Sequence, residues 1–234
     1  MTGRSAVIFG ANGGIGSAVA DALESDNRFD TIIRFSRSGT SPVRVDLTSE
    51  ASIRDAAQWT RDNHVVPSTV FVATGLLHDH SSGPEKSLRQ LDTEWLLKNY
   101  QVNAIGPALI AKYFLPLMDR KEILRFAVLS ARVGSISDNR LGGWYGYRAS
   151  KAALNMMIRN LAIEWSRKND KSVIVALHPG TVDTALSQPF QSNVPPEKLF
   201  DSSRAARQLL DVLEALKPAQ SGKIFAWDGT EVQP

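Results

Sequence analysis

Gly10-Ala11-Asn12-Gly13-Gly14-Ile15-Gly16 follows the apolar run Ala6–Phe9 and opens directly into the helical pattern Ser17–Leu23. Glycine lets backbone N–H groups approach a diphosphate closely, and the start of a helix adds about half a positive charge facing it. Flexible turns use the same residues. Set between a strand and a helix, however, the spacing G-x-x-x-G-x-G points to a dinucleotide phosphate site. Gly10, Asn12, Gly13, Gly14, Ile15 and Gly16 are therefore candidate cofactor-binding residues.

Working outward, short runs rich in Val, Ile and Phe alternate with longer helical patterns. The runs predicted as strands are Ala6–Phe9, Thr31–Phe35, Val43–Asp46, Thr69–Ala73, Phe126–Ser130, Val173–Leu177 and Lys223–Ala226. Helical periodicity covers about 14–25, 49–62, 93–118, 147–167 and 203–216, with Ser49 and Ser203 as N-cap candidates. Alternating strands and helices predict an α/β chain, a doubly wound parallel sheet of about seven strands flanked by helices. No linker interrupts this pattern, so residues 1–234 are expected to form a single Rossmann-fold domain. Leu186–Pro196, rich in Pro, Ser and Gln, reads as a lid or a surface loop.

Two positions beyond the second predicted strand bear on which dinucleotide is bound. An NAD site places a carboxylate there for the ribose 2′-hydroxyl. This chain has Ser36-Arg37, and an arginine attracts a 2′-phosphate and bonds it bidentately. Ser36 and Arg37 thus favour NADP, with NAD the less favoured alternative; as a bland alternative, Arg37 is a solvated loop cation. Asp46, followed by Leu47, is placed to bond the adenine amino group, or else to cap the helix that follows.

Composition excludes several classes. Apolar residues make up 43% and charged residues 22%, which is ordinary for a globular chain. With no cysteine, there is no disulfide framework, thiolate nucleophile or Cys-ligated metal. The sequence pI is about 9.2, yet 27 Lys+Arg against 24 Asp+Glu leave an excess of only three, scattered along the chain. No basic stripe suggests nucleic acid. Met1-Thr2-Gly3-Arg4-Ser5 runs straight into the first strand with no visible signal peptide, and no apolar stretch is long enough to span a membrane. A cytoplasmic location is the expectation. His78-Asp79-His80 has too few neighbouring ligands for a metal site, so none is predicted.

The chemistry centres on Tyr147 and Lys151, four apart and so on one helix face. A free phenol has a pKa near 10. A nearby ammonium and a cationic nicotinamide ring would stabilise the phenolate and lower that value.

The glycine pattern at 10–16, Asp46, Asn103, Tyr147-x-x-x-Lys151 and Pro179-Gly180-Thr181-Val182-Asp183-Thr184 together resemble the short-chain dehydrogenases/reductases over essentially the whole chain. Ser135–Asn139, Tyr147–Asn155 and Phe225–Gly229 look like the C-factor-like branch, which is similar to the sniffer carbonyl reductases. The resemblance implies NADP-dependent hydride transfer between nicotinamide and a carbonyl or secondary alcohol. Tyr147 would be the general acid/base, and Lys151 would hold the nicotinamide ribose. Asn103 would bind a water linking Lys151 to a proton relay. Ala73, Thr74 and Gly75 would line the ribose. Pro179, Gly180, Val182 and Thr184 would lie at the nicotinamide end, with Pro179-Gly180 and Thr184 orienting its carboxamide. It also implies a homodimer or homotetramer, paired through the helix around Trp95 and the Tyr147 helix.

Three positions depart from the family pattern. The expected catalytic serine is Ala131, so a bulge or a folded-back loop would have to bring in Ser130 or Ser135. Phe9 replaces a threonine, and Ala73-Thr74-Gly75 replaces Asn-Ala-Gly. Ala131 leaves a second function open: a cofactor-binding regulatory or signalling protein with vestigial chemistry. Leu186–Pro196 and His78–Pro84 are expected to shape the substrate pocket, and Met156, Met157, Leu154, Ile158 and Leu161 to form core or subunit interface.

Overall fold

A computed structural model describes residues 4–234; Met1–Gly3, expected ahead of the first strand, lie outside the described residues. Buried parallel strands read as continuous apolar runs, and six of them form one parallel sheet. They are β1 (Arg4–Phe9), β2 (Phe29–Phe35), β3 (Thr69–Val72), β4 (Arg125–Leu129), β5 (Val173–His178) and β8 (Ile224–Ala226), in spatial order β2-β1-β3-β4-β5-β8. Two short strands, β6 (Thr181–Val182) and β7 (Leu199–Phe200), pair separately and tie the segment after β5 to the chain ahead of the last helix.

Helices cover both faces. On one lie α2 (Glu50–Asp62), α4 (Gly106–Phe114) and α5 (Tyr145–Ser166), burying Ile53, Ile110, Phe114, Leu154 and Ile158 against the sheet. On the other lie α1 (Gly14–Glu24) and α6 (Ser202–Ala215), through Val19, Leu23, Leu209 and Leu213. Within this frame, α3 (Thr93–Tyr100) precedes α4. The chain reverses direction across the sheet at β1, between β2 and β3. Doubly wound sheets bind their ligands in the crevice at such a switch point.

Three expectations are corrected. Val43–Asp46 is not a seventh strand. Its strand-type pairing among the described residues is limited to the isolated bridge Ser36↔Arg44, with the bond from Val45 N to Ser36 O. Pro42 precedes it and has no N–H to give a ladder, although Val45 and Leu47 still bury their side chains. The periodicity was therefore real, but it reported burial and not pairing.

The helix expected over 93–118 is interrupted by a π-turn at Gln101–Ile105 and ends in a 3₁₀ turn at Leu115–Leu117. Pro107 cannot donate to the carbonyl of Asn103, four residues earlier, and its ring would collide with it.

The third correction concerns α6, whose N-cap is Asp201, accepting from Arg204 N at 2.7 Å, and not Ser203. By contrast, Ser49 does cap α2. Asp201→Ala should therefore cost about 1 kcal/mol, while Ser203→Ala should be nearly neutral. Urea unfolding midpoints at constant slope would check both.

Phe9, one of the family departures, belongs to the core. Its ring lies 5.3 Å from Phe35 and 4.9 Å from Phe114, and Phe35 in turn meets Trp59 at 6.0 Å. A threonine here would remove the ring that packs against both Phe35 and Phe114.

Candidate active site

The turn after β1 is shaped by missing side chains. Gly10 adopts φ +79°, and a Cβ on Gly16 would sit 2.2 Å from the Gly10 carbonyl oxygen. A Cβ on Gly14 would meet Thr184 Cγ2 at 2.7 Å, so close approach joins this turn to the segment after β5. The N-cap of α1 is Gly13, with no side-chain cap and no acid in the first turn. Its amides are left facing outward, as an anion site requires.

A cavity of about 470 Å³ opens beside the turn. Its lining brings together ten of the residues singled out from sequence: Gly10, Asn12, Gly13, Ser36, Arg37, Asp46, Leu47, Ala73, Thr74 and Gly75. Arg37 has no carboxylate within ion-pair distance among the described residues. Asp46 Oδ1 accepts from Thr48 N and Oγ1 at 2.9 and 2.8 Å. Those bonds, followed by the positive fields of Arg37 and Arg44, hold its carboxyl below the usual range. Ser36 donates to Ser38 O, and Asn12 bonds the same carbonyl, which fastens the Arg37 loop to the glycine turn. The Thr74 hydroxyl is buried with no partner among the described residues. A polar ligand in the cavity would relieve that cost.

Lys151 and Tyr147 do not line this cavity; Lys151 adjoins it behind Gly75. A Cβ on Gly75 would fall 3.9 Å from both Lys151 Nζ and Asn103 Oδ1, so Gly75 separates these groups from the cavity. Lys151 Nζ donates to Leu129 O at 2.9 Å and stands 5.7 Å from the centre of the Tyr147 ring. Both side chains are buried. Burial pushes the phenol up to about 12 and the ammonium down to about 7. For the phenol this is the reverse of the shift expected from a neighbouring ammonium alone, because desolvation disfavours both charged forms.

The Asn103 side chain is already committed. It bonds Leu76 N and O, each at 2.8 Å, and also approaches Ser150 Oγ and Asn99 Oδ1. Ser150 donates onward to Tyr147 O at 2.8 Å. The water expected on Asn103 would thus have to use an atom other than its amide.

Neither replacement serine is poised like the missing one. Ser130 donates to Asn155 Oδ1 at 2.7 Å inside the β4–α5 contact. Ser135 accepts from Asp138 N at 3.1 Å and is 2% exposed.

The two segments expected to shape a pocket do meet. Phe190, in Leu186–Pro196, packs its ring 5.8 Å from His78 and 5.1 Å from Trp144, and Trp144 packs against Tyr147 at 6.3 Å. His78 Nε2 lies 3.1 Å from Ala185 O. Asp79 is held by Lys98 at 2.6 Å and by Ser81 and Ser82.

Sequence reasoning missed Trp144, Ser150, Asn99 and Glu85. Ser150 lay inside the Tyr147–Lys151 run and was legible there, whereas nothing local marks the other three. Leu154 and Ile158 are core, while Met156 and Met157 are exposed; Trp95, expected at a subunit face, is buried within the chain.

A larger concavity of about 530 Å³ opens between α1, α6 and the sheet, lined in part by Arg28, Arg125 and Arg207. Arg28 and Arg125 share Glu214, and none of the site residues line it.

A glycine turn at a switch point, with a Tyr–Lys pair one helical turn apart whose lysine stands behind Gly75, defines a dinucleotide-dependent oxidoreductase architecture. Residues 10–216 match the family model described as enoyl-(acyl carrier protein) reductase, and the chain belongs to that family of short-chain dehydrogenases/reductases. It is 34% identical to the C-signal of Myxococcus xanthus over 151 residues, 64% of this chain and 86% of that one. It is 32% identical to 1-hydroxy-2-glutathionyl-2-methyl-3-butene dehydrogenase of Rhodococcus sp. (strain AD45) over 192 residues, 81% and 78% of the two chains. The fold is shared with NADPH-bound carbonyl reductase from chicken fatty liver (TM-score 0.84, 23% identity, 100% of both chains). It is also shared with carbonyl reductase Sniffer of D. melanogaster (TM-score 0.83, 22% identity, 99% and 100%). No helix among the described residues is long and apolar enough to cross a membrane.

Proposed function

We propose that the chain is an NADP(H)-dependent oxidoreductase acting on a carbonyl or secondary alcohol, with Tyr147 as general acid/base. The observation that carries this reading is a crevice lined by Arg37 and by Gly75, with Lys151 of the Tyr147–Lys151 pair directly behind Gly75. The uncapped start of α1, the absent Cβ at Gly10 and Gly13, and the unpartnered Thr74 hydroxyl fit a dinucleotide. Gly13, Gly14, Ile15 and Gly16 would hold the diphosphate, Ser36 and Arg37 the 2′-phosphate, and Asp46 and Leu47 the adenine. Ala73, Thr74, Gly75 and Lys151 would hold the ribose, and Pro179, Gly180, Val182 and Thr184 the carboxamide. When bound, the reduced cofactor supplies hydride.

The chain's own part is to hold the substrate and move a proton. A phenol held near 12 is protonated at neutral pH, which is the form that donates to a carbonyl oxygen. Asn103 supports the relay through its main-chain carbonyl, which Pro107 cannot bond; its side chain positions Leu76 and Ser150. Trp144 packs on the Tyr147 ring, with Phe190 and then His78 behind it, a wall that would limit water at the phenol. Ala131 removes one hydroxyl donor, a loss that costs about 100–1,000-fold where such donors act, so turnover should be slow.

Arg37→Ala tests the cofactor choice. It should weaken NADPH by about tenfold or more, the loss of a charge-assisted bidentate contact, and leave NADH little changed. Fluorescence titration reads both, and equal weakening would overturn the 2′-phosphate assignment.

Ala131, with Ser130 engaged elsewhere, favours a second reading in which the chain binds cofactor and signals without efficient catalysis. NADPH binding with no turnover across aldehydes, ketones and quinones would support it. Homo-oligomerisation would use the exposed Leu97, Met156 and Ile163 on α3 and α5.

A further inference from the structure

Glu85 is a buried carboxylate that the proposed reaction does not use. It is 2% exposed and has no cation within ion-pair distance among the described residues. An unpaired buried charge is costly, so something specific must be holding it in place.

That something is the start of α5. Gly146 N donates to both Glu85 oxygens, at 3.1 and 3.3 Å, and Trp144 N donates to the Glu85 main-chain carbonyl. The first residue outside the helix, Trp144, offers no side-chain cap, and the first turn contains no acid. A 22-residue helix carrying both Tyr147 and Lys151 therefore takes its N-terminal acceptor from a loop 61 positions earlier in the chain. Negative charge at a helix N-terminus is favourable, which offsets the burial.

The backbone entering α5 needs such an anchor. Gly142, Gly143 and Trp144 all adopt left-handed angles, with φ of +64°, +63° and +52°. For tryptophan that conformation costs about 1–2 kcal/mol and persists only where neighbours enforce it. The fit is close: a Cβ on Gly146 would meet Glu85 Oε1 at 2.9 Å and Leu96 at 3.2 Å, and one on Gly143 would meet the Glu85 carbonyl at 3.3 Å. Gly146 immediately precedes Tyr147, and Trp144 packs on the Tyr147 ring. Any shift in this first turn moves the phenol hydroxyl directly.

We infer that Glu85 is a positioning residue for Tyr147, acting as an acceptor supplied from a distant loop that fixes the first turn of α5 and the Trp144 wall. As a statement about turnover, this rests on the oxidoreductase reading above. Glu85→Ala should lower kcat by about 10- to 100-fold, the scale of a displacement of about 1 Å, and leave the NADPH KM nearly unchanged. Glu85→Gln, which keeps an acceptor at the same reach, should restore most of the loss. A general loss of packing would not be rescued in this way and would move both constants.

Amide hydrogen exchange separates this inference from the reaction. In wild type, the Gly146 amide should be protected although it lies in a first turn, where N–H groups have no intrahelical partner. It should lose that protection in Glu85→Ala and keep it in Glu85→Gln. A Gly146 amide that exchanges freely in wild type overturns the inference without any variant having to fold. So does an unchanged kcat in Glu85→Ala, or an equal loss in the two variants. Absence of turnover in wild type would sink the oxidoreductase reading alone, and the exchange pattern would still decide the role of Glu85.

Discussion

Tyr147→Phe should lower NADPH-dependent carbonyl reduction by about 100- to 10,000-fold, the range that a positioned proton donor contributes. The substitution removes one oxygen and keeps the ring, so the edge contact with Trp144 and the burial at the start of α5 survive. Cofactor affinity should change little, because no phosphate-facing group is touched. Burial holds the phenol at about 12, which keeps it protonated through the neutral range and makes it a donor before any substrate arrives. Single-turnover rates with saturating NADPH, alongside fluorescence titration of the cofactor, give the two readouts. Turnover within about threefold of wild type would remove Tyr147 as the general acid, since no positioned donor contributes so little. Loss of rate together with loss of NADPH binding would instead mean a collapsed crevice.

Gly16→Ala is the second large effect. The added Cβ would lie 2.2 Å from the Gly10 carbonyl oxygen and 2.8 Å from its carbon. Those atoms are backbone, already fixed by Gly10 N donating to Phe35 O and Gly13 N donating to Gly10 O. No flexible side chain can move aside, so α1 and the turn must separate. The amides of the first helical turn then no longer converge on one point. NADPH affinity should fall by about 100-fold or more, as expected when several backbone bonds to a diphosphate are lost together. The melting temperature should fall as well, because overpacking by one methyl in a tight contact costs about 1–3 kcal/mol. A variant that binds NADPH like wild type would show that this turn does not carry the phosphate. Ala18→Gly, two residues further along α1, is a useful control: it disturbs the helix and leaves the turn intact.

Much of this architecture was legible in the residues. Glycine spacing, the strand–turn–helix order and the Val/Ile/Phe runs predicted a doubly wound parallel sheet, because fully buried strands and phosphate turns tolerate few other residue types. Tyr147 and Lys151 were legible because a helix brings residues four apart onto one face. The seventh strand was over-read: Val43, Val45 and Leu47 alternate as a strand does, but alternation records which side chains are buried. Whether a backbone finds a ladder partner depends on its neighbours. Ser203 was over-read similarly, since Asp201 caps α6 from two residues earlier.

The sequence by itself determined the class of fold, the position of the glycine turn and the placing of Tyr147 and Lys151 on one helix face, because each is coded by local spacing. Tertiary structure decided the rest. It set the direction of the Tyr147 and Lys151 shifts, because desolvation depends on what surrounds a group and not on what adjoins it in the chain. It committed Ser130 to Asn155 and the Asn103 amide to Leu76. It also brought Glu85 to the first turn of α5 and Phe190 to Trp144. Those contacts join segments tens of residues apart, and no local pattern encodes which distant partner will occupy a given bond.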